Sequence, residues 1–507
     1  MGTIPPLRVR SGWHDPSSRG KGTTVTRKGF IRNIRPLEIL TEDQIWQVHR
    51  ATLDILRRTG VAFRSQWALD FLEGEGCHVD RSSMRVRFPE SLVEACLRRV
   101  PSSYRVTARD PDNDLILGGS TLYFTHSAGM QTLDIDTYEP RDPKKAEYTD
   151  CVRVLDALPT IDFLSCYPYF GYEGLPPAMA IPESVALKMR HSTKHQFTCY
   201  SSECEIFNIQ MAQATGQEIT GTLTCSPPLT WGDDAVQAAR RMIEAGFPLA
   251  TVDGNVLGGT GPATPLGNVA VCNAEHLSMI VLVQLIHPGH RISVGHFACP
   301  MNMRTGSPAF GQIGGSISNV IWNQMWRHYR IPCSNGSPGY VDSKMIDFQA
   351  GYEKGIAALA SAASGVNVML LHLGVSAEIS AHPVQAILDD DIAGMVGRFI
   401  EGEIISEETL ALDVIHDVGP IPGHYLGTGH TREWCRKEQF VPRTGEQSSY
   451  QAWIVKGKPS ALDHARERMT EILDAHEPEP LTAEQEEDIR HILDDARAFY
   501  RKRGELE

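Results

Sequence analysis

The sequence predicts an α/β protein built around a (β/α)8 barrel of the TIM type, with an N-terminal helical segment and a C-terminal helical extension. Eight short apolar runs recur along the middle of the chain, and each ends in small or polar residues and precedes the next after a helical stretch. The eight alternations occupy about 250 residues, which is the length of a closed β/α barrel. An open, doubly wound sheet is the alternative fold. No GxGxxG fingerprint opens the first unit, and Gly258-Gly259-Thr260-Gly261 follows the fifth run instead.

Composition limits the classes of function. The chain has 507 residues, 41% of them hydrophobic and 22% charged, which suffices for one large domain with attachments. A formal charge of −14 argues against a nucleic-acid partner. Eleven cysteines without CxxC pairs predict reduced, mostly buried thiols. No run approaches eighteen apolar residues and no secretory pattern opens the chain, so we expect a cytoplasmic protein without a membrane partner.

The first 36 residues read as a basic flexible arm. They carry eight Lys and Arg residues against a single acid, Asp15, with Gly, Pro and Ser between them. Such a composition is typical of a solvated tail or of a segment that clasps a neighbouring subunit.

Residues 37–118 are predicted to form an N-terminal helical segment. Thr41 is placed to cap a helix through Arg57, and Pro89 is placed to open another. Two β-like runs, 104–106 and 115–117, flank the turn signal Asp110-Pro111-Asp112-Asn113.

Residues 119–400 are predicted to form the barrel. The expected strands are 122–125, 163–166, 197–199, 222–225, 249–252, 292–294, 331–334 and 368–371. The expected helices include 182–189, 234–245, 268–286, 316–329, 348–363 and 384–400.

Residues 401–507 are predicted to form a helical extension that packs on the barrel or on a partner subunit. A Pro/Gly-rich crossing at 417–429 precedes two terminal helices. The last, 482–501, has an apolar side that includes Ile489, Leu493 and Phe499.

Active sites of β/α barrels lie at the carboxyl ends of the strands, so the residues that follow each run are the candidate substrate-binding residues. These candidates are His126, Tyr167, Tyr169, Phe170, Tyr200, Asp253, Asn255, His296, Asn335, Tyr340 and His372. Aromatic rings with one nearby acid, Asp253, suit an organic cation, although packing at the rim explains such rings equally well. No catalytic residue stands out.

The sequence lacks the motifs that are typical of metal sites and of hydrolytic active sites. Three histidines at strand ends raise the possibility of zinc, but no HxH or HExxH pair accompanies them, and we expect no metal ion. Neither a GxSxG elbow nor a P-loop occurs. The aromatic, amide and imidazole side chains at the strand ends suit the binding of an organic cation, while another reagent performs the chemistry.

Several strings resemble the trimethylamine methyltransferase superfamily. They are Gly339-Tyr340-Val341-Asp342-Ser343-Lys344, then Asp347 and Gln349-Ala350-Gly351-Tyr352-Glu353, together with Gly261-Pro262-Ala263-Thr264-Pro265, Asn273-Ala274-Glu275, His424-Tyr425-Leu426-Gly427 and His430-Thr431. The resemblance covers nearly all of the chain beyond the basic arm.

The resemblance implies a barrel that moves a methyl group from a methylated amine to the cobalt of a separate corrinoid protein. The founding members carry pyrrolysine, whereas this chain has only the standard residues and is similar to the glycine betaine methyltransferase branch. The expected substrate is therefore a quaternary amine of the betaine type. The expected partner is a corrinoid-binding protein carrying cobalamin, with no cofactor bound permanently to this chain, which is expected to be a homo-oligomer.

For such a substrate we expect Tyr167, Tyr169, Phe170 and Tyr200 to enclose the ammonium group, with Asp253 balancing its charge. His126, His296, Asn255 or Asn335 would bind a substrate carboxylate. Two alternatives remain open: a non-catalytic betaine binder or sensor on the same barrel, and a zinc-dependent corrinoid methyltransferase acting on an alcohol or a thioether.

Overall fold

The computed structural model describes residues 28–506. Most of the predicted basic arm, residues 1–27, lies outside the described residues. Its last part is not a free tail, which corrects the predicted extent of the arm. Phe30 lies in a short strand and packs edge-to-face on Phe124, with ring centroids 5.9 Å apart, in space left by the missing side chain of Gly397. Arg32 is buried beside it.

The N-terminal region contains more strand than predicted. Its strands are β1 (Phe30–Ile31), β2 (Val61–Arg64), β3 (His78–Asp80), β4 (Arg85–Arg87), β5 (Ser103–Val106) and β6 (Leu115–Gly118). Its helices are α1 (Glu42–Asp54), α2 (Gln66–Gly74) and α3 (Glu90–Leu97). Thr41 caps α1 and Pro89 precedes α3, as predicted. The β-like runs predicted at 104–106 and 115–117 are β5 and β6, and the prediction missed β2, in which Val61 and Phe63 alternate inward in the pattern of a half-buried strand.

The central region alternates strands and helices. Its strands are β7 (Thr121–His126), β8 (Gln131–Leu133), β9 (Pro140–Arg141), β10 (Gln196–Thr198), β11 (Ile219–Thr224), β12 (Thr230–Gly232), β13 (Leu249–Val252), β14 (Val256–Leu257), β15 (Ile292–His296), β16 (Cys299–Pro300), β17 (Cys333–Asn335), β18 (Val368–His372), β19 (Gly374–Val375) and β20 (Ser380–Ala381). Its helices are α4 (Lys145–Ala157), α5 (Ala180–His191), α6 (Glu205–Thr215), α7 (Asp233–Glu244), α8 (Pro265–Ile286), α9 (Ile313–Tyr329), α10 (Phe348–Ser364) and α11 (Pro383–Glu401).

The main sheet is a curled, largely parallel sheet of eight strands. Its order is β1-β7-β18-β17-β15-β13-β11-β10, and β1 alone runs antiparallel to its neighbour. Seven of the eight predicted barrel strands are present in it. The α/β class is thereby confirmed. A second sheet joins β12 to the N-terminal strands in the order β12-β2-β4-β3.

The predicted second strand, 163–166, does not form a ladder. Only isolated bridges link this segment to its neighbours, from Ile161 to Phe124 and from Leu164 to Gln196. Side chains take over the backbone bonds here: Phe124 N donates to Asp162 Oδ2 at 2.9 Å, and Ser165 N donates to His126 Nε2 at 3.0 Å. A carboxylate and an imidazole thus replace two of the carbonyl acceptors of a regular strand, while Asp162 N and Leu164 N still donate to backbone carbonyls.

Helix α8 is the one helix among residues 28–506 that is long and apolar enough to cross a membrane, and 83% of its most apolar window is buried inside the protein. It packs against α1, α3 and α9. Its hydrophobicity is that of a core helix.

The C-terminal region holds α12 (Glu407–Leu410), α13 (Leu412–Val418), α14 (Gly429–Trp434), α15 (Tyr450–Val455), α16 (Ala461–Ala475) and α17 (Ala483–Arg503). Helix α16 packs on α4 and α11, and α17 packs on α5 and α6.

Candidate active site

Three aromatic rings meet where the strands of the main sheet end. Phe297 directly follows β15, Tyr340 lies beyond β17, and Phe310 lies in the long segment before α9. Their ring centroids are 5.0 to 5.3 Å apart in all three pairs. The hydroxyl of Tyr340 accepts a hydrogen bond from Ala128 N at 3.0 Å, which fixes the ring against the loop after β7.

The 339–353 string that carries the family resemblance holds this trio in place. Asp342 accepts hydrogen bonds from Phe310 N at 2.9 Å and Gly311 N at 3.2 Å. Glu353, on α10, accepts in turn from Asp342 N at 2.7 Å. The two carboxylates therefore fix the loop that brings Phe310 to the other rings.

Tyr167, Phe170 and Glu378 lie at the edge of the trio. The rings of Tyr167 and Phe170 meet edge-to-face at 5.5 Å. Burial, with the nearby Tyr340 and the charge of Glu378, raises the pKa of Tyr167. Glu378 keeps an exposed surface, although loss of hydration raises the pKa of its carboxyl group. We call these six residues the mouth cluster: Tyr167, Phe170, Phe297, Phe310, Tyr340 and Glu378.

Asp253 lies behind the trio in a buried network. Its Oδ2 lies 2.7 Å from His296 Nδ1 and 3.4 Å from His276 Nε2, and its Oδ1 accepts from Phe297 N at 2.7 Å. Burial works to raise the pKa of Asp253, but the two histidines outweigh it and hold that pKa below its usual range. The oxygens of this carboxylate are thus taken up by partners within the protein, and its bond to Phe297 makes it a positioning group for that ring.

The same network contains a set of metal-ligating side chains. Ligand atoms of Asp253, Cys272 and His296 lie within 4.8 Å of one another, and all three residues are buried. Both ring nitrogens of His296 already have partners, because Nε2 lies 2.9 Å from Ser318 Oγ. Burial and nearby negative charge raise the pKa of the Cys272 thiol well above its usual value. A metal would have to displace these hydrogen bonds and deprotonate the thiol.

The other predicted polar residues hold the fold together rather than facing the mouth cluster. His126 is buried with Nδ1 2.7 Å from Ser127 O and Nε2 bonded to Ser165 N, and burial lowers its pKa to about 3. His372 Nε2 lies 2.9 Å from Thr160 Oγ1. Asn335 Oδ1 accepts from Asn323 at 2.8 Å, and Asn255 Nδ2 donates to Glu275 at 3.4 Å. The structure gives His126, His372 and Asn335 protein partners where we expected a substrate, whereas Asn255 Oδ1 is buried without a hydrogen-bond partner among the described residues.

Two of the predicted aromatic residues are separated from the trio. Tyr169 is 1% exposed and belongs to a hydrophobic cluster with Tyr148 and Leu133. Tyr200 packs on the main core, and its hydroxyl donates to Thr224 O at 3.1 Å. Burial raises the pKa of Tyr200 to about 12.

Three members of the mouth cluster were not among the predicted site residues. Phe297 follows His296 and carries the same strand-end signal. Phe310 and Glu378 lie farther along their loops, ten and six residues beyond the strand-end positions Pro300 and His372. Of these three residues, only Phe297 could have been predicted from its position directly after a strand.

A separate polar cavity of about 830 Å³ opens near the amino-terminal ends of the strands, lined by residues that include Lys28, Asp162, Lys194 and His476. Burial raises the pKa of Asp162 to about 6. Because β/α barrels carry their chemistry at the other end of the strands, this cavity is not the candidate active site.

Comparisons with known proteins agree with the sequence motifs. The model of the trimethylamine methyltransferase (MTTB) family matches residues 10–498. The chain is 28% identical over 467 residues to glycine betaine methyltransferase of Desulfitobacterium hafniense strain Y51, covering 88% of this chain and 94% of that protein. It is 26% identical over 480 residues to trimethylamine methyltransferase MttB of D. hafniense strain DSM 10664 / DCB-2, covering 91% and 94%.

Among solved structures, the chain is similar to the hydroxylamine complex of MtmB, with a TM-score of 0.50 and 12% identity. The match covers 86% of this chain and 89% of that one. At this identity the likeness concerns the fold, which is α/β with a curled sheet of the kind found in TIM barrels.

Proposed function

Because the chain belongs to the trimethylamine methyltransferase family, we propose that this methyltransferase takes a methyl group from a quaternary amine of the betaine type and transfers it to the cobalt of a separate corrinoid protein. The observation that carries the proposal is the mouth cluster, in which the rings of Phe297, Phe310 and Tyr340 meet, the rings of Tyr167 and Phe170 pair beside them, and the carboxylate of Glu378 lies near enough to raise the pKa of Tyr167 and of Tyr340.

Such a cluster suits a quaternary ammonium group. A cation without N–H groups is held by ring faces and by a nearby negative charge, at about 0.5–2 kcal/mol per ring. Glu378 supplies the charge that we first assigned to Asp253, since Asp253 is occupied by two histidines. The proposal retains the enclosing roles predicted for Tyr167 and Phe170, and it gives an enclosing role to Tyr340, which was predicted to bind substrate without a stated role.

The proposed reaction needs no general acid. When a quaternary amine loses a methyl group it leaves as a neutral tertiary amine, so no proton has to be delivered to the nitrogen. The work left to this chain is to orient the C–N bond and to exclude water. A mouth made of rings with a single carboxylate is consistent with that task.

The corrinoid would be brought by its own protein and would supply the reduced cobalt that accepts the methyl group. Four exposed apolar side chains favour docking at this end of the sheet: Met130, Met303, Met345 and Ile379. Each lies in a segment that follows a different strand of the main sheet, and together they would provide an apolar rim around the mouth cluster.

We also propose that the main sheet closes as a (β/α)8 barrel. Support comes from the isolated bridges of Ile161 and Leu164, which join the segment after α4 to β7 on one side and to β10 on the other. We propose a cytoplasmic location as well, and like the methyl-transfer function it is inferred from membership of the family.

A methyl-transfer assay tests the function. The protein is mixed with reduced cobalamin, or with a corrinoid protein, and methylation is followed by the absorbance of cobalt against a panel of glycine betaine, proline betaine, carnitine and trimethylamine. We expect transfer from at least one betaine and none from trimethylamine. A panel that gives binding without any transfer favours a betaine sensor, and transfer from trimethylamine alone overturns the substrate class.

A zinc-dependent methyltransferase is the second candidate, because Asp253, Cys272 and His296 bring three ligand atoms together. Elemental analysis of the purified protein separates the two. Stoichiometric zinc that is lost in Cys272→Ser favours this candidate, and a metal-free protein that transfers methyl groups excludes it.

A further inference from the structure

Residues 403–437 project from the body of the protein. From here on we call this segment the arm; it is a different segment from the predicted basic arm of residues 1–36. Both ends are fastened to one side chain of α11. Arg398 Nη1 donates to Gly402 O at 2.7 Å, while its Nη2 pairs with Glu403 at 2.8 Å and with Glu438 at 2.6 Å. The chain therefore leaves α11 and returns to the same point.

The arm buries none of its own residues. Its helices α12, α13 and α14 have four, seven and six residues, lengths at which isolated helices are unstable in water. Eight of its large apolar side chains are exposed: Ile404, Ile405, Leu410, Leu412, Ile415, Ile421, Tyr425 and Leu426. Ile421 is 95% and Leu426 87% exposed. A segment of this kind needs an apolar surface to hold it.

A matching surface lies on the neighbouring helices α9, α10 and α11, which pack side by side. We call it the band, and its exposed apolar side chains are Ile313, Ile317, Phe348, Tyr352, Ile356, Leu359, Met395 and Phe399. The four residues on α10 are spaced by four, four and three positions, so they lie along one face of that helix. Phe348 is 85% exposed. Soluble monomers rarely leave apolar patches of this extent uncovered.

We propose that the band is covered by the arm of a second copy of this chain, in a two-fold dimer in which the two arms are exchanged. The arm begins and ends on α11, the helix that also carries Met395 and Phe399 of the band. One two-fold interface can therefore contain both surfaces, each arm lying on the partner's band. Within its own chain the arm leaves that band exposed.

The size and chemistry of the two surfaces favour a permanent contact between copies. Sixteen large apolar side chains of each subunit take part, in interfaces that usually involve about 20–30 residues a side. Permanent homodimer interfaces are more hydrophobic than transient ones. The proposed corrinoid protein has a different destination, the mouth cluster at the strand ends.

Sedimentation equilibrium of the full-length protein tests the proposal. We expect twice the chain mass of 56.1 kDa at micromolar concentration. Ile421→Asp with Leu426→Asp in the arm, and Phe348→Asp with Ile356→Asp in the band, should each give monomers. Ile116→Asp is the matched control, because Ile116 is 59% exposed on β6, outside both surfaces, and it should remain dimeric. A monomeric parent protein, or charged variants that stay dimeric, would overturn the proposal.

Cross-linking locates the contact without requiring the charged variants to fold. A photoreactive phenylalanine replaces Tyr425 in a copy with one affinity tag, and it is co-expressed with a copy that carries another tag. Cross-links should join the two differently tagged chains and map to α9–α11. Cross-links confined to a single chain, or mapped to the strand-end loops of the partner, would contradict the exchange of arms.

Discussion

Glu275 shows how a single buried group governs the response of the fold to pH. It is fully buried on α8, and its Oε1 accepts from Leu229 N at 2.7 Å. Within residues 28–506 its Oε2 has no hydrogen-bond partner. Burial raises the pKa of this carboxyl group to about 8 against the bond from Leu229. At neutral pH the folded protein therefore keeps a proton on Glu275 that the unfolded chain releases.

We predict that Glu275→Gln stabilises the protein at alkaline pH. An unfolded Glu has a pKa of about 4.3, so between that value and about 8 only the unfolded chain gives up the proton, and stability falls as pH rises through this window. Gln keeps the acceptor for Leu229 and removes the proton. Its advantage in urea unfolding should grow by about 3–4 kcal/mol between pH 5 and pH 8. Glu244→Gln, at an exposed position on α7, should show no such growth, and an equal advantage at both pH values would contradict the assignment.

The rings of the mouth cluster should differ in importance from those of the core. Tyr340→Ala removes a ring face and should raise the Kd for glycine betaine between about 2-fold and 30-fold in titration calorimetry. Tyr340→Phe keeps the face and loses only the acceptor for Ala128, so its effect should be smaller. Tyr450→Ala, at an exposed aromatic position outside the cluster, is the control. An unchanged Kd in Tyr340→Ala would remove this ring from the binding site.

Sequence position predicted which residues stand at strand ends better than it predicted what those residues do. Asp253 and Tyr340 were found correctly as strand-end residues. His126 and His372 also lie at strand ends, but a ring nitrogen of each is hydrogen-bonded within the protein, to Ser165 and to Thr160 respectively. These bonds join segments 39 and 212 residues apart, and no local pattern reports such a pairing. Phe310 was missed for the same reason, since Asp342 brings it to the site from a distant loop.

At the scale of elements, the strands buried between parallel neighbours were the easiest to predict. The strand 249–252 has the predicted bounds, because a short run flanked on both sides by other strands is buried and therefore mostly apolar, here with Thr251 as the one polar residue. The segment 163–166 was also mostly apolar, but Leu164 alone keeps backbone bonds to the next strand, while Asp162 and His126 replace bonds on the side of β7. Apolar runs report burial, and the hydrogen-bond partners decide whether a buried run becomes a strand.

A buried ion pair ties α10 to α11 and to the main sheet. Lys354 Nζ lies 2.8 Å from Asp389 Oδ2, and neither side chain is exposed. The ammonium group also donates to Gly339 O at 3.1 Å and Leu371 O at 2.7 Å, while Asp389 accepts from Leu373 N at 3.0 Å. The pair thus links two helices, β18 and the start of the 339–353 string.

We predict that breaking this pair on one side is costly. Lys354→Met leaves Asp389 buried without its counter-ion and should lower the free energy of unfolding by about 3–5 kcal/mol. Lys354→Met combined with Asp389→Leu removes both charges and should be less destabilised than Lys354→Met alone. Urea unfolding with a double-mutant cycle measures this. A double variant whose loss equals the sum of the two single losses would show that the charges do not act as a pair.

At the scale of the whole molecule, the last helix closes the fold on itself. Helix α17 lies on α5 and α6 and buries Ile489, Leu493 and Tyr500 against the main core. Its Arg497 pairs with Glu183 of α5, a carboxylate that is 2% exposed. The chain end is therefore part of the core that surrounds the sheet. Its sequence had shown an apolar side without showing which surface would cover it.

We predict that a chain ending at Pro480 loses cooperative folding. Three large buried side chains contribute about 1.5–3 kcal/mol each, and their sum is comparable with the 5–15 kcal/mol that stabilises a typical domain. Removal of Arg497 also leaves Glu183 beside newly exposed apolar surface without its partner. Differential scanning calorimetry should show a broad or absent transition, and the truncated chain should bind a hydrophobic dye. Lys502→Ala is the control, because Lys502 lies at an exposed position on α17 and its replacement should leave the transition intact. A chain truncated at Pro480 that unfolds at the parent's temperature would show that α17 is an appendage of the fold.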